Sequence, residues 1–134
     1  MKVSATQNNV NASTEKIYQL IANPRNFSRS LPEQITIEEV TDDYCKFNIP
    51  GVTSLTLRIA EKDPFSNITY AAENDKNITT SIAISLQAIQ DNLSSLTVEI
   101  DVAIPIFLAG MAKNPLQNLV TLIAERIKVK AETE

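Results

Sequence analysis

Leu96, Val98, Ile100, Val102 and Ile104 alternate with Thr97, Glu99 and Asp101. A period of two over so long a run makes a strand with one apolar and one wet face, which needs a sheet around it and a cover over one side. The cover follows at once. From Ile106 the period becomes 3.6, with Leu116, Leu119, Val120, Ile123 and Ile127 on one side and Gln117, Asn118, Thr121, Glu125 and Lys128 mostly on the other, the pattern of an amphipathic helix. Pro115 lacks a backbone donor, so it kinks this helix or marks where a looser first part, Phe107 to Lys113, meets the regular part.

The alternation extends backwards through Ile35 and Ile37, then Cys45, Phe47 and Ile49, then Leu55, Leu57 and Ile59, then Ile68 and Tyr70, then Ile82, Ile84 and Leu86. Thr41–Tyr44, Pro50–Gly51, Asp63–Pro64 and the polar loop at 73–77 separate these runs, and their residues suit turns. A weaker alternation over 2–10 predicts a short first strand.

Between that strand and the rest lies NASTEKIYQLIANPRNFSRSLPE. Ser13 is a good N-cap, Glu15 suits the positive end of the helix dipole, and Ile17, Tyr18, Leu20 and Ile21 give an apolar stripe, so a helix is expected over 14–22. Pro24 drives the preceding residue toward extended geometry, yet fits the first turn of a new helix. A second short helix with Phe27 and Leu31 as its apolar contacts is therefore expected, and the break between the two is encoded. The sum is a single α+β domain over 1–134: a curved antiparallel sheet of about seven strands wrapped around a long C-terminal helix, with two short helices between strands 1 and 2. Two short helices with a hinge follow the rim of a curled sheet where one straight helix would not.

Composition excludes several functions. A net charge of −4 without any Lys/Arg cluster disfavours nucleic acid and anionic membranes as partners. No apolar run approaches the ~20 residues that cross a bilayer, and the first residues lack the apolar block of a signal peptide. With Cys45 as the lone cysteine, a cytoplasmic protein is expected. The chain has no His, which removes Ser-His-Asp and Cys-His catalysis and the usual zinc ligand sets. No metal site, no cofactor and no catalytic residue is predicted, and Glu38–Glu39 with Asp42–Asp43 read as a solvated hairpin. Arg58 reads as a solubilising charge and Cys45 as a small buried apolar residue. Among inward positions Tyr70 and Thr80 are the polar candidates, with Tyr70 read as a core aromatic whose hydroxyl lies near the rim.

The order of elements, with the broken helix, the corner IPGVTSLTLRI and the ending PIFLAGMAKNPLQNLVTLIAERI, resembles the START-like superfamily. These helix-grip proteins include polyketide cyclases, pathogenesis-related class 10 proteins and lipid-transfer domains, and the chain looks most like their small bacterial members. The resemblance covers nearly the whole chain and implies a cavity between sheet and long helix, often used for an apolar ligand. An empty pocket of ~300 Å³ costs about 7 kcal/mol at ~24 cal/mol per Å³, so an aliphatic interior either collapses or holds something. The expectation is non-catalytic binding of a small lipid- or polyketide-like molecule, with Phe47, Leu57, Tyr70, Phe107 and Met111 lining the cavity. The alternative is a protein-interaction or oligomerisation domain of co-chaperone type with a filled core; an aromatase or cyclase is less favoured because the inward set lacks a base. No oligomeric state follows from the sequence.

Overall fold

Ser13 opens the first helix as its residue type predicts, its Oγ accepting the amide of Lys16 at 3.1 Å. Helix α1 spans Thr14–Ile21, and Asn23 caps the next, α2 (Pro24–Ser28), by accepting the amide of Asn26 at 2.8 Å. The computed structural model describes residues 1–49, 53–74, 79–103 and 106–133. The expected corner at Pro50–Gly51 and most of the polar loop at 73–77 lie outside the described residues.

Strand β1 (Lys2–Val10) precedes the helices, and β2 (Thr36–Val40), β3 (Cys45–Ile49), β4 (Thr53–Asp63), β5 (Asn67–Glu73), β6 (Thr80–Gln90) and β7 (Leu93–Val102) follow, before α3 (Ile106–Thr133) closes the chain. The strands form one antiparallel sheet in the order β1-β7-β6-β5-β4-β3-β2, curled into a half-barrel. The short-turn connections make consecutive strands neighbours, and β1 joins the far edge by pairing with β7 from Lys2 opposite Asp101 to Val10 opposite Ser94. The alternation decides what is buried. Ile68, Tyr70, Ile82, Ile84, Leu96, Val98 and Ile100 all face inward with almost no accessible surface, while Glu99 and Asp101 point the other way.

One alternation is misleading. Ile35 is buried, but it precedes β2, and Ile37 within the strand is 42% exposed. Ile37 stands opposite Phe47 and hence on the inward side, yet β2 is the sheet edge and its neighbours do not cover it. A bulge between Ile37 and Glu39 then turns both glutamates outward. Glu38 accepts a hydrogen bond from Ser54 at 2.8 Å and sits 3.8 Å from the Lys46 ammonium, and Glu39 accepts one from the Tyr44 hydroxyl. Arg58 lies over the Tyr44 ring at 4.8 Å and pairs with Glu73 at 3.3 Å. The expected solubilising charge thus belongs to a polar network on the outer face of β2–β4.

Helix α3 buries Leu116, Leu119, Val120, Ile123, Ala124, Ile127 and Ala131 against the sheet, mainly over β1 and β7. It runs on through Pro115. The side chains described before that point, Met111, Lys113, Asn114 and Pro115 itself, are all exposed, so the proline marks where the packed part begins. Gln117 donates to the Ser4 carbonyl at 2.9 Å, tying this part to β1.

At the other end Glu132 accepts hydrogen bonds from the Asn11 amide and side chain at 3.0 and 3.2 Å and from Lys128 at 3.1 Å. The Asn11 backbone and the Lys128 ammonium hold its carboxyl below the usual carboxylate range. A depressed carboxylate contributes stability that is full at neutral pH and is lost as pH falls through its folded value. Glu132→Gln is expected to cost about 1 kcal/mol at neutral pH. In urea melts across the acid range the difference between the two chains should shrink below pH ~4; a difference independent of pH contradicts the assignment.

The two short helices are fixed by Tyr70, on the middle strand β5. Its hydroxyl donates to the carbonyl of Ile21, the last residue of α1, at 2.6 Å, and Phe27 of α2 stacks on its ring at a centroid distance of 4.8 Å. Asn26 donates to the Gln19 carbonyl at 3.2 Å. Two of the carbonyls that a helix end leaves without partners are thereby satisfied. Tyr70→Phe leaves the Ile21 carbonyl buried and unpaired, with an expected loss of about 1–3 kcal/mol and a lowered midpoint in thermal melts; an unchanged midpoint contradicts this role.

Candidate functional site

Three of the five expected cavity residues lie together. Phe47 on β3 stands one pair diagonally from Leu57 on β4, and Leu57 likewise from Tyr70 on β5, so the three share the inward face of adjacent strands. Each has 0% accessible surface. A side chain beside a water-sized void keeps some accessible area, so these three are in close packing, and α2 closes over this part of the sheet with Phe27 against Tyr70.

The Tyr70 hydroxyl does not reach the rim, where the sequence reading put it. It is buried, engaged with Ile21, and its phenol is pushed far above the ordinary range by burial. Thr80 is buried at the start of β6. Met111 is 78% exposed and apart from the group, because it lies in the helical stretch ahead of the packed stripe. The side chain of Phe107 lies outside the described residues.

Open space lies between the two covers of the sheet. The connection from α2 to β2 passes α3 at Pro32–Ile35, and a hollow of about 280 Å³ there is lined by Pro32, Gln34, Ile35, Pro115, Leu119 and Leu122, with Asn118 at its edge. An adjoining hollow of about 420 Å³ shares Pro32, Gln34 and Leu122 and adds Glu33 and Arg126. Together they form an open groove along α3, mainly apolar at the smaller hollow and mixed at the larger, where Glu33, Gln34 and Arg126 join Pro32 and Leu122. Pro115, Leu119, Leu122 and Arg126 are spaced by four, three and four residues, hence on one stripe of the helix. Sequence reasoning put Leu119 on the core stripe with Leu116, Val120, Ile123 and Ile127 and missed that Pro115, Leu122 and Arg126 line up with it along that stripe's edge. The spacing was there to be read, but the facing segment Pro32–Ile35 carries no period.

Neither of the other chemical candidates gains a partner. Cys45 is buried beneath the helices with its thiol pushed up to about 11 by burial. Among the described residues no three acidic or thiol side chains converge on a point that could hold a metal ion. The thiol of the folded chain should therefore resist a disulfide reagent at mildly alkaline pH and react promptly once denaturant is added; rapid reaction under native conditions would show that Cys45 is accessible.

No protein-family model matches the chain, and no curated protein matches it in sequence. Solved structures do match in shape. A START superfamily protein from Mycobacterium smegmatis superposes with a TM-score of 0.72 at 16% identity, covering 98% of this chain and 97% of that one. A protein from Chromobacterium violaceum gives 0.71 at 16% identity over 99% of both chains, and a conserved protein from Geobacillus kaustophilus gives 0.72 at 13% identity over 98% and 95%. Agreement over whole chains at such low identity is agreement in fold. Among the described residues no helix is long and apolar enough to cross a membrane. The curled seven-stranded sheet, the helix pair after the first strand and the long closing helix make this chain a START-like, helix-grip fold.

Proposed function

We propose that the domain binds a small apolar molecule without transforming it, and that the molecule enters between α3 and the segment Pro32–Ile35. The observation that carries this reading is the groove itself, a largely apolar recess of about 280 Å³ continuous with one of about 420 Å³, a size suited to a small ligand. The fold supports it, since the groove opens between the closing helix and the connection that leads from the helix pair to β2. Phe47, Leu57 and Tyr70 then form the packed interior that keeps the ligand out at the groove. Met111, one helical turn before Pro115 and exposed, borders the approach to it. The lone buried Cys45 fits the expected reducing, cytoplasmic setting.

Packing also supports a second reading, an interaction or oligomerisation domain of co-chaperone type, because the inward faces of β3–β5 are already filled. The cyclase reading loses its best residue, since Tyr70 donates its only hydroxyl proton to Ile21. Titration with Nile red, a neutral apolar dye, separates the first two. Saturable binding is expected, weakened about tenfold or more in Leu122→Trp, whose larger ring fills the groove. Absence of binding by the folded chain, together with a mass in light scattering that rises with concentration, would replace this reading with the second.

A further inference from the structure

Arg126 closes the groove at one end, and its surroundings are unusual for an arginine. Its Nε is buried, and among the described residues nothing accepts a hydrogen bond from it. Arg25 and Arg58, by contrast, each hold a carboxylate, Asp42 at 2.9 Å and Glu73 at 3.3 Å. A buried donor without an acceptor is costly, and a guanidinium offers a planar fork that matches a carboxylate through two parallel hydrogen bonds.

We propose that Arg126 is the headgroup site of the ligand, and that the ligand is a singly charged amphiphile, an acyl chain ending in a carboxylate. The inference rests on the groove being the binding site and names the chemical class that the site takes. From Pro115 to Arg126 the helix rises ~16 Å at 1.5 Å per residue, enough for a medium-length chain laid along Leu119 and Leu122 with its polar end at the arginine. Arg126 already lines the larger hollow, and its Nε gives up no hydrogen bond to any described residue in meeting a ligand there. Glu33 lines the same hollow as Arg126, while Glu125 and Lys130 line a neighbouring one and offset each other, so the hollow itself sets one anion beside its one cation and does not favour a second negative charge on the ligand. That favours a carboxylate over a phosphate monoester, which is largely doubly charged above pH ~6.

The test is displacement of Nile red by decanoate, decanol and decyl phosphate at mildly alkaline pH. Decanoate is expected to displace the dye at a concentration about tenfold lower than decanol, and decyl phosphate to do no better than decanoate. In Arg126→Gln the decanoate-to-decanol ratio should fall to about one, and in Arg126→Lys, which keeps the charge but not the fork, it should lie between. Equal displacement by acid and alcohol in the native chain overturns the headgroup role while leaving the groove in place. Persistence of the preference in Arg126→Gln overturns it as well, and a tenfold preference for the phosphate overturns the choice of a single charge. Failure of the native chain to bind Nile red at all removes the groove and the headgroup site together.

Discussion

The hydrogen bond from Tyr70 to the Ile21 carbonyl joins the middle strand of the sheet to the point where the first helix stops. A helix end leaves carbonyls that must find donors, and a curled sheet leaves a concave apolar face that must find a cover. One side chain serves both needs. Its hydroxyl satisfies the helix end, and its ring offers Phe27 a stacking partner, so the chain turns at Asn23–Pro24 and continues inward over the sheet. The break in the helix is the means by which the second half reaches Tyr70.

This arrangement divides the cover of the sheet in two. Helix α2 closes over β2–β4, α1 over β5 and β6, and α3 over β1 and β7. Where the α2–β2 connection passes α3 the two covers meet imperfectly, and the groove is that imperfect junction. The filled inward face at Phe47, Leu57 and Tyr70 and the open groove beside α3 are thus two results of the same packing: volume taken by Phe27 beneath α2 is unavailable for a ligand there, while a stiff 28-residue helix does not bend to follow Pro32–Ile35. The cluster around Glu132 at one end of α3 and the Gln117–Ser4 bond near Pro115 fix the wall of the groove at both ends.

Much of this was legible in the chain. The alternation of β5–β7 and the stripe of α3 follow from hydrophobic period, and the caps at Ser13 and Asn23 with Pro24 follow from local chemistry, because such signals depend on neighbours in sequence. What failed to show depends on neighbours in space. Ile37 reads like any inward strand residue, and only its place at the sheet edge exposes it. Met111 reads as apolar lining, but it precedes the part of α3 that packs. Tyr70 reads as a core aromatic, and nothing in the sequence says that its hydroxyl meets a carbonyl 49 residues away. Arg126 was overlooked because a charged residue on a helix ordinarily faces water, and the burial of its Nε depends on packing that the sequence does not display.

The helix pair fills the middle of the concave face, which leaves the proposed ligand the junction with α3. Methyl-resolved NMR of chain labelled at Ile and Leu, titrated with Nile red, tests this placement most directly. The methyl signals of Ile35, Leu119 and Leu122 should shift most while those of Leu57, Ile82 and Ile84 stay nearly in place. Largest shifts at Leu57, Ile82 and Ile84 would contradict it, and would place the ligand in the heart of the sheet.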